Sequence, residues 1–251
     1  MDKKLKLAVI GKPIGHSKSP KIHNDFANQF DAKIEFRKDE VTPETLETWL
    51  ADFFKDDGKG VSITLPLKEA ALNYADEISD RARLASACNV IYAKDERLFA
   101  DCTDGYGFTK DIEENLNVPV KDKKILILGA GGAARGIIPS IIEKKPAKLK
   151  VANRTESKAL LLREDLEAKV DLKEKNTIFE AGDLSDDFLL ADSYDLVINS
   201  TSVSTQAGES LELPKALFSG TKLAYDLFYS VENTVFMQEA LAAGAEKVSD
   251  G

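Results

Sequence analysis

Lys124-Ile125-Leu126-Ile127-Leu128-Gly129-Ala130-Gly131-Gly132-Ala133-Ala134 is the stretch that decides the fold. Its first half is a continuous apolar run of the kind found in a strand covered on both faces. The glycines that follow fit G-x-G-x-x-G/A, in which the backbone turns tightly and approaches a pyrophosphate at a helix N-terminus. A helix is expected over 133–143, then a strand ending at Asn153, 24 positions beyond Gly129. In a dinucleotide-binding unit the ribose-reading residue sits there, and an acid would accept from the 2′-hydroxyl of NAD. The residues present are Asn153-Arg154-Thr155. With no carboxylate to repel a 2′-phosphate and a guanidinium able to bind it through paired hydrogen bonds, the pattern points to NADP. A methyltransferase using S-adenosylmethionine shares the glycine loop, but it usually needs an acid after the second strand.

Outward from this loop, short strand-like runs alternate with helical patterns, which predicts an α/β protein with mostly parallel sheets. Before it, strands are expected at 5–10, 33–37, 60–65, 89–93 and 97–100, the third halted by Pro66. Ser19-Pro20 and Thr42-Pro43 read as a capping hydroxyl followed by proline at the first helical position. Ile22, Phe26 and Phe30 recur as one buried helix face would, and the next helix is expected to bury Leu46, Trp49, Leu50 and Phe53 or Phe54. After the loop come strands near 149–153, 177–180, 196–199 and 222–227, and a helix carrying Leu162, Leu166 and Val170. The boundary is placed at Asp104. Residues 1–104 form a substrate-binding unit, 105–230 a Rossmann-like unit across a cleft from it, and about 231–251 rejoin the first. Ser249-Asp250-Gly251 reads as turn chemistry.

The 251 residues carry 34 Lys or Arg against 43 Asp or Glu, a formal charge of −9 that argues against a nucleic-acid partner. No apolar run approaches the roughly 20 residues that span a bilayer, and no signal-peptide core follows Met1, so a cytoplasmic location without membrane partners is expected. Two cysteines, Cys88 and Cys102, and two histidines, His16 and His23, leave a metal centre unexpected. The thiols are read as reduced and structural, and the histidines as turn and helix-surface residues.

In the first half, polar residues cluster where strands end: Ser17-Lys18-Ser19, Ser62 to Lys68, Ala87-Cys88-Asn89 and Asp101 to Gly105. Ligands of open α/β sheets bind beyond the carboxyl ends of strands. Here the chain resembles the shikimate dehydrogenase family. G-x-P-I-x-H-S-x-S-P-x-x-H appears as Gly11 to His23, T-x-P-x-K as Thr64 to Lys68 and T-D-G as Thr103 to Gly105. N-R-T appears as Asn153 to Thr155 and Y-D-x-F-Y as Tyr225 to Tyr229.

The resemblance implies an oxidoreductase of aromatic amino acid and chorismate biosynthesis that reduces 3-dehydroshikimate to shikimate with NADPH, as monomer or homodimer. It implies that Ser17 and Ser19 hold the substrate carboxylate with Tyr229, and that Thr64, Asn89 and Asp104 bind ring hydroxyls. Lys68 and Asp104 correspond to the catalytic pair; Lys68 either moves the proton or stabilises the developing alkoxide. Gly129, Ala130, Gly131, Gly132, Ala133, Asn153, Arg154, Thr155, Leu227 and Gly251 would contact NADP. Rival readings are a quinate/shikimate paralogue using NAD and a non-catalytic dinucleotide-binding regulator. Ser62 and Cys102 stand where the family commonly has Asn. The family also continues past the equivalent of Gly251 into a helix bearing a substrate-binding Gln, which Gln238 does not match.

Overall fold

The computed structural model describes residues 4–206 and 208–251. It contains two compact units, one ending at Thr103 and one spanning Asp104–Gly251.

The first unit is built from β1 (Leu5–Gly11), α1 (Ser19–Gln29), β2 (Ile34–Glu40), α2 (Leu46–Lys55), β3 (Gly58–Ile63), α3 (Lys68–Ala71), β4 (Glu77–Ile78), α4 (Asp80–Ala85), β5 (Val90–Lys94) and β6 (Arg97–Asp101). Its sheet has the order β2-β1-β3-β5-β6-β4. β1 is parallel to β2 and β3, whereas β5 runs antiparallel to both β3 and β6. The expected mostly parallel pairing holds for β1 with β2 and β3 and for β4 with β6, while β5 is antiparallel because its link to β6 is too short for a crossover and closes as a hairpin. Ala8, Ile10, Val61, Ile63, Ile91 and Ala100 bury the sheet against Leu46, Leu50 and Phe53 of α2.

Three expectations about helices fail here. Ser19 is the first residue of α1 rather than its cap, which is Lys18, and the second helix begins at Leu46 behind Thr45 rather than at Thr42-Pro43. Ile22, Phe26 and Phe30 are 44%, 51% and 80% exposed, so the helix forms as its periodicity says but turns that stripe outward. Only Ala27 of α1 is buried, and His23 packs its ring 4.6 Å from that of Phe36 on β2.

The second unit contains α5 (Asp104–Lys110), continued by a π-helical turn over Asp111–Asn115, then β7 (Lys124–Leu128), α6 (Gly132–Glu143), β8 (Lys148–Ala152), α7 (Glu156–Glu167), α8 (Leu172–Lys175), β9 (Ile178–Gly182), α9 (Asp186–Leu189), β10 (Leu196–Asn199), β11 (Leu223–Asp226), α10 (Val235–Ala242) and β12 (Val248–Asp250). All neighbours in the order β12-β11-β10-β7-β8-β9 are parallel. Alternate residues serve two cores. Ile125, Ile127, Leu149, Val151, Leu196 and Ile198 face one side; Leu126, Leu128, Ala152, Val197 and Ala224 face the other. The uninterrupted apolar reading of β7 follows from that double burial.

Residues 231–251 do not return to the first unit. α10 and β12 stay with the second, where Val248, Ser249 and Asp250 pair with Ala224, Tyr225 and Asp226. The same pairing turns the expected Ser249-Asp250 turn into an edge strand, since hydrogen bonds to β11 outweigh local turn preference. Among the described residues no helix is long and apolar enough to cross a membrane.

Candidate active site

The first unit gathers its polar clusters on one rim of the sheet, and backbone hydrogen bonds show how. Thr64 N donates to Ile10 O at 3.0 Å and Lys12 N to Leu65 O at 2.8 Å, joining the segments beyond β1 and β3. Ile63 N donates to Asn89 O at 2.7 Å, and Cys88 N donates to Lys68 O at 2.9 Å. Because β5 is antiparallel to β3, the residue entering β5 lies beside the end of β3. This is how Asn89 reaches the rim that carries Thr64 and Lys68. Ser17 is buried, and its Oγ accepts from Ser19 N at 3.3 Å and donates to Ser19 Oγ at 3.2 Å, so the two hydroxyls are held together at the entry to α1. Thr64, Lys68 and Asn89 are each half-buried.

Asn89 has a partner that sequence reasoning missed. Its Nδ2 donates to Thr103 Oγ1 at 2.9 Å, and Thr103 N donates back to its Oδ1 at 3.0 Å. Asn89 therefore fixes the approach to Asp104. The preceding residue is anchored as well. Asp101 Oδ1 accepts from Ser79 Oγ at 2.6 Å and Cys102 N at 2.8 Å, and Arg81 pairs with the carboxylate. Burial alone would raise the Asp101 carboxyl, but the Ser79 and Arg81 hydrogen bonds outweigh it and hold it below its ordinary value.

A folded pKa below the unfolded one gives stability that is present above about pH 4 and lost as pH falls through the folded value. Asp101→Asn is thus expected to lower stability at pH 7 by about 2 kcal/mol, with the gap to the parent narrowing as the pH is lowered from 7 into the acid range through the folded value. Urea unfolding at pH 7 and in the acid range measures it, and a gap that persists in acid would contradict the assignment.

In the second unit the carboxyl ends of all six strands share one rim, and the strand order reverses between β7 and β10. That is the switch point where open parallel sheets bind ligands. Gly129 follows β7 with φ +107°, a conformation that strains any residue with a Cβ. A Cβ there would also lie 3.2 Å from the backbone carbon of Ser200. At Gly131, which caps the 12-residue α6, a Cβ would meet nothing within 4 Å. Backbone N–H groups at the start of α6 thus open onto space a phosphate can enter. After β8, Asn153 Nδ2 donates to Thr155 O at 2.8 Å, and Arg154 is exposed. Gly251 N donates to Asp226 O at 3.0 Å, and its α-carbon sits so near Leu227 that a Cβ would be 3.0 Å from Leu227 O. The donor set suits a dinucleotide phosphate: an open glycine turn, a helix start, and a cation where an acid would repel.

Asp104 is the first residue of α5. Tyr229 is half-buried, its ring stacked on Phe228 at 6.0 Å. Lys68 belongs to the first unit, Asp104 and Tyr229 to the second.

Two residues of the Y-D-x-F-Y stretch organise the second rim, one on each face of β11. Tyr225 sets its ring edge-on to Phe108 of α5 at 5.1 Å and donates its hydroxyl to Asp111 Oδ2 at 3.0 Å. Burial and the neighbouring Asp111 carboxylate both push the Tyr225 hydroxyl pKa upward, which keeps it a donor. Asp226 is 0% exposed. Its Oδ1 accepts from Asn199 Nδ2 at 3.2 Å and Phe228 N at 3.1 Å; its Oδ2 accepts from Ser204 Oγ at 2.6 Å and Thr234 Oγ1 at 2.7 Å. One carboxylate thereby ties the loops after β10 and β11 to the start of α10.

Asp226→Ala is expected to destabilise the protein by about 2–4 kcal/mol, because buried donors lose their acceptor. Asp226→Asn should lose less, since the two hydroxyls can rotate to accept from an amide. Urea unfolding ranks the two, and equal losses would contradict the bonding pattern.

An all-parallel sheet with a glycine turn at its switch point, preceded by a mixed α/β unit with a polar rim, defines the two-domain dehydrogenase class. Residues 9–91 match the family model of the shikimate dehydrogenase substrate binding domain, and residues 111–219 match that of shikimate / quinate 5-dehydrogenase. Shikimate dehydrogenase (NADP(+)) of Hahella chejuensis is 40% identical over 244 residues, covering 97% of this chain and 86% of that protein. The enzyme of that name from Chromobacterium violaceum is 40% identical over the same shares. The crystal structure of shikimate 5-dehydrogenase from Thermus thermophilus, in complex with NADP(H) and shikimate, is similar with TM-score 0.81 and 31% identity over 98% of this chain and 86% of that one. The chain belongs to the shikimate dehydrogenase family.

Proposed function

We propose that the chain catalyses reduction of 3-dehydroshikimate to shikimate with NADPH, a step of chorismate and aromatic amino acid biosynthesis. The observation that carries this reading is the 40% identity to shikimate dehydrogenase (NADP(+)) over 97% of the chain. The polar rim of the first unit and the glycine turn of the second support it.

Bound NADPH supplies the hydride to the substrate's carbonyl carbon. The protein's residues bind, orient and handle the proton. Ser17 and Ser19, paired at the entry to α1, donate hydrogen bonds to the substrate carboxylate without neutralising it, and Tyr229 donates to the same group. Thr64, Asn89 and Asp104 bind the ring hydroxyls, with Asp104 as acceptor. Lys68 donates to the carbonyl oxygen as negative charge develops there, either transferring the proton or stabilising the charge. Gly129 to Ala133 with the first turn of α6 cradle the pyrophosphate, Asn153, Arg154 and Thr155 surround the adenosine 2′-phosphate, and Leu227 and Gly251 border the nicotinamide end. The enzyme works in the cytoplasm as monomer or homodimer on this small-molecule substrate, without nucleic-acid partners.

Incubation of the protein with 3-dehydroshikimate and NADPH tests the reading. Chromatography should recover one shikimate for each NADPH consumed. No NADPH consumption would overturn it. The second family model also names quinate, so 3-dehydroquinate is run in parallel, and faster turnover of that substrate would reassign the enzyme.

A further inference from the structure

α5 begins at Asp104 and packs on α6, the helix that starts at the glycine turn. The two helices approach closely because each offers a glycine at the crossing. A Cβ at Gly105 would lie 2.7 Å from Gly136 O. At Gly136, one turn into α6, a Cβ would lie 2.7 Å from Asp104 Oδ2, 3.1 Å from its Cβ and 3.3 Å from its Cγ. Real Cβ atoms do not approach other atoms within 3.0 Å, so any side chain at 136 forces movement.

The helix has little freedom to provide that movement. Phe108 is wedged edge-on against Tyr225, Tyr225 is bonded to Asp111, and Thr109 Oγ1 donates to Gly105 O at 2.9 Å. A methyl at 136 would therefore have to be met by rotation of the Asp104 side chain about χ1, which displaces its carboxylate.

We propose that Gly136 is a positioning residue for the reaction: its lack of a side chain sets where the Asp104 carboxylate stands relative to the helix that carries the dinucleotide turn. Outside the G-x-G-x-x-A fingerprint, nothing in nucleotide binding asks for glycine at 136. A helix interior disfavours it, since alanine is the better helix former there. The glycine therefore stands against local preference, and the group it accommodates is the one read here as catalytic. The inference rests on that reading of Asp104.

A double-mutant cycle of Gly136→Ala and Asp104→Ala in the full chain tests it, with kcat, KM, NADP affinity by calorimetry and Tm as readouts. Gly136→Ala should lower kcat on the order of 10²-fold, the scale of an ångström of misplacement. Its affinity for NADP should stay within about twofold and its Tm should be unchanged or higher, because the helix gains propensity. A merely structural glycine would instead lower Tm while sparing kcat. In the Asp104→Ala background, Gly136→Ala should produce no further loss of activity.

A Gly136→Ala enzyme within about threefold of parental kcat would overturn the proposal, as would a kcat loss that adds in full to that of Asp104→Ala. So would a fall in NADP affinity as large as the fall in kcat. If Gly136→Ala does not fold, the double variant decides. Recovery of folding there identifies the carboxylate as the clashing group; failure there assigns the glycine to backbone packing and overturns the proposal. Full activity in Asp104→Ala alone would defeat the catalytic reading of Asp104, a result distinguishable from every outcome of the glycine variant.

Discussion

Lys68→Ala is expected to lower kcat for shikimate oxidation by on the order of 10²–10⁴-fold, the range for removing a group that handles a proton in the transition state. KM should move little. The backbone around Lys68 is fixed independently of its side chain: Cys88 N donates to its carbonyl, and Leu67, buried beneath it, donates its N–H to Thr64 O at 2.9 Å. Truncation therefore removes the ammonium without moving Thr64 or Asn89. A group acting only in the transition state lowers kcat and kcat/KM together. The pH dependence of kcat/KM separates its two possible roles. If Lys68 transfers the proton, a limb of the profile disappears in the variant; if it stabilises charge, the profile keeps its shape at a lower level. A large loss of shikimate affinity with near-normal turnover would remove Lys68 from the chemistry.

Arg154→Ala should weaken NADP by about 1.5–3 kcal/mol, the value of a hydrogen bond to a charged group, which is roughly 10- to 150-fold in Kd. NAD, which lacks the 2′-phosphate, should be almost unaffected. Arg154 is exposed and follows a residue whose own side chain is occupied with Thr155 O, so its removal deletes a charge without disturbing the turn after β8. The formal charge of −9 makes the local arrangement matter more, since the protein as a whole repels both anionic ligands. Calorimetry with the two dinucleotides measures the effect. Equal losses for both would mean that Arg154 supports the loop rather than reading the phosphate.

What could be read from the residues alone was local or periodic. β7 and its glycine turn are a contiguous signal, and β10 was legible as a short apolar run because a parallel strand buried on both faces has no polar alternation to blur it. What could not be read depends on partners distant in sequence. β4 has two residues and β12 three, too short for any pattern, and both exist only because β6 and β11 offer a hydrogen-bonding edge. The spacing of Ile22, Phe26 and Phe30 specifies a helix but says nothing of which side faces the sheet. Asn89 and Thr103 are 14 positions apart, and their reciprocal bonds arise only when the β5–β6 hairpin closes. Asp226 was visible as a motif letter. Its four donors come from the ends of two strands and a helix start, which no spacing rule links. Gly136 carries no pattern signal of its own, and only the crossing of α5 over α6 brings Asp104 beside it.

The most direct measurement is the initial rate of shikimate oxidation, followed by the absorbance of the reduced dinucleotide, with NADP and NAD at equal concentration. Production of 3-dehydroshikimate with NADP at a kcat/KM well above that with NAD is the predicted result. Oxidation that prefers NAD, or no oxidation of shikimate by a folded protein that binds NADP tightly, would contradict the account.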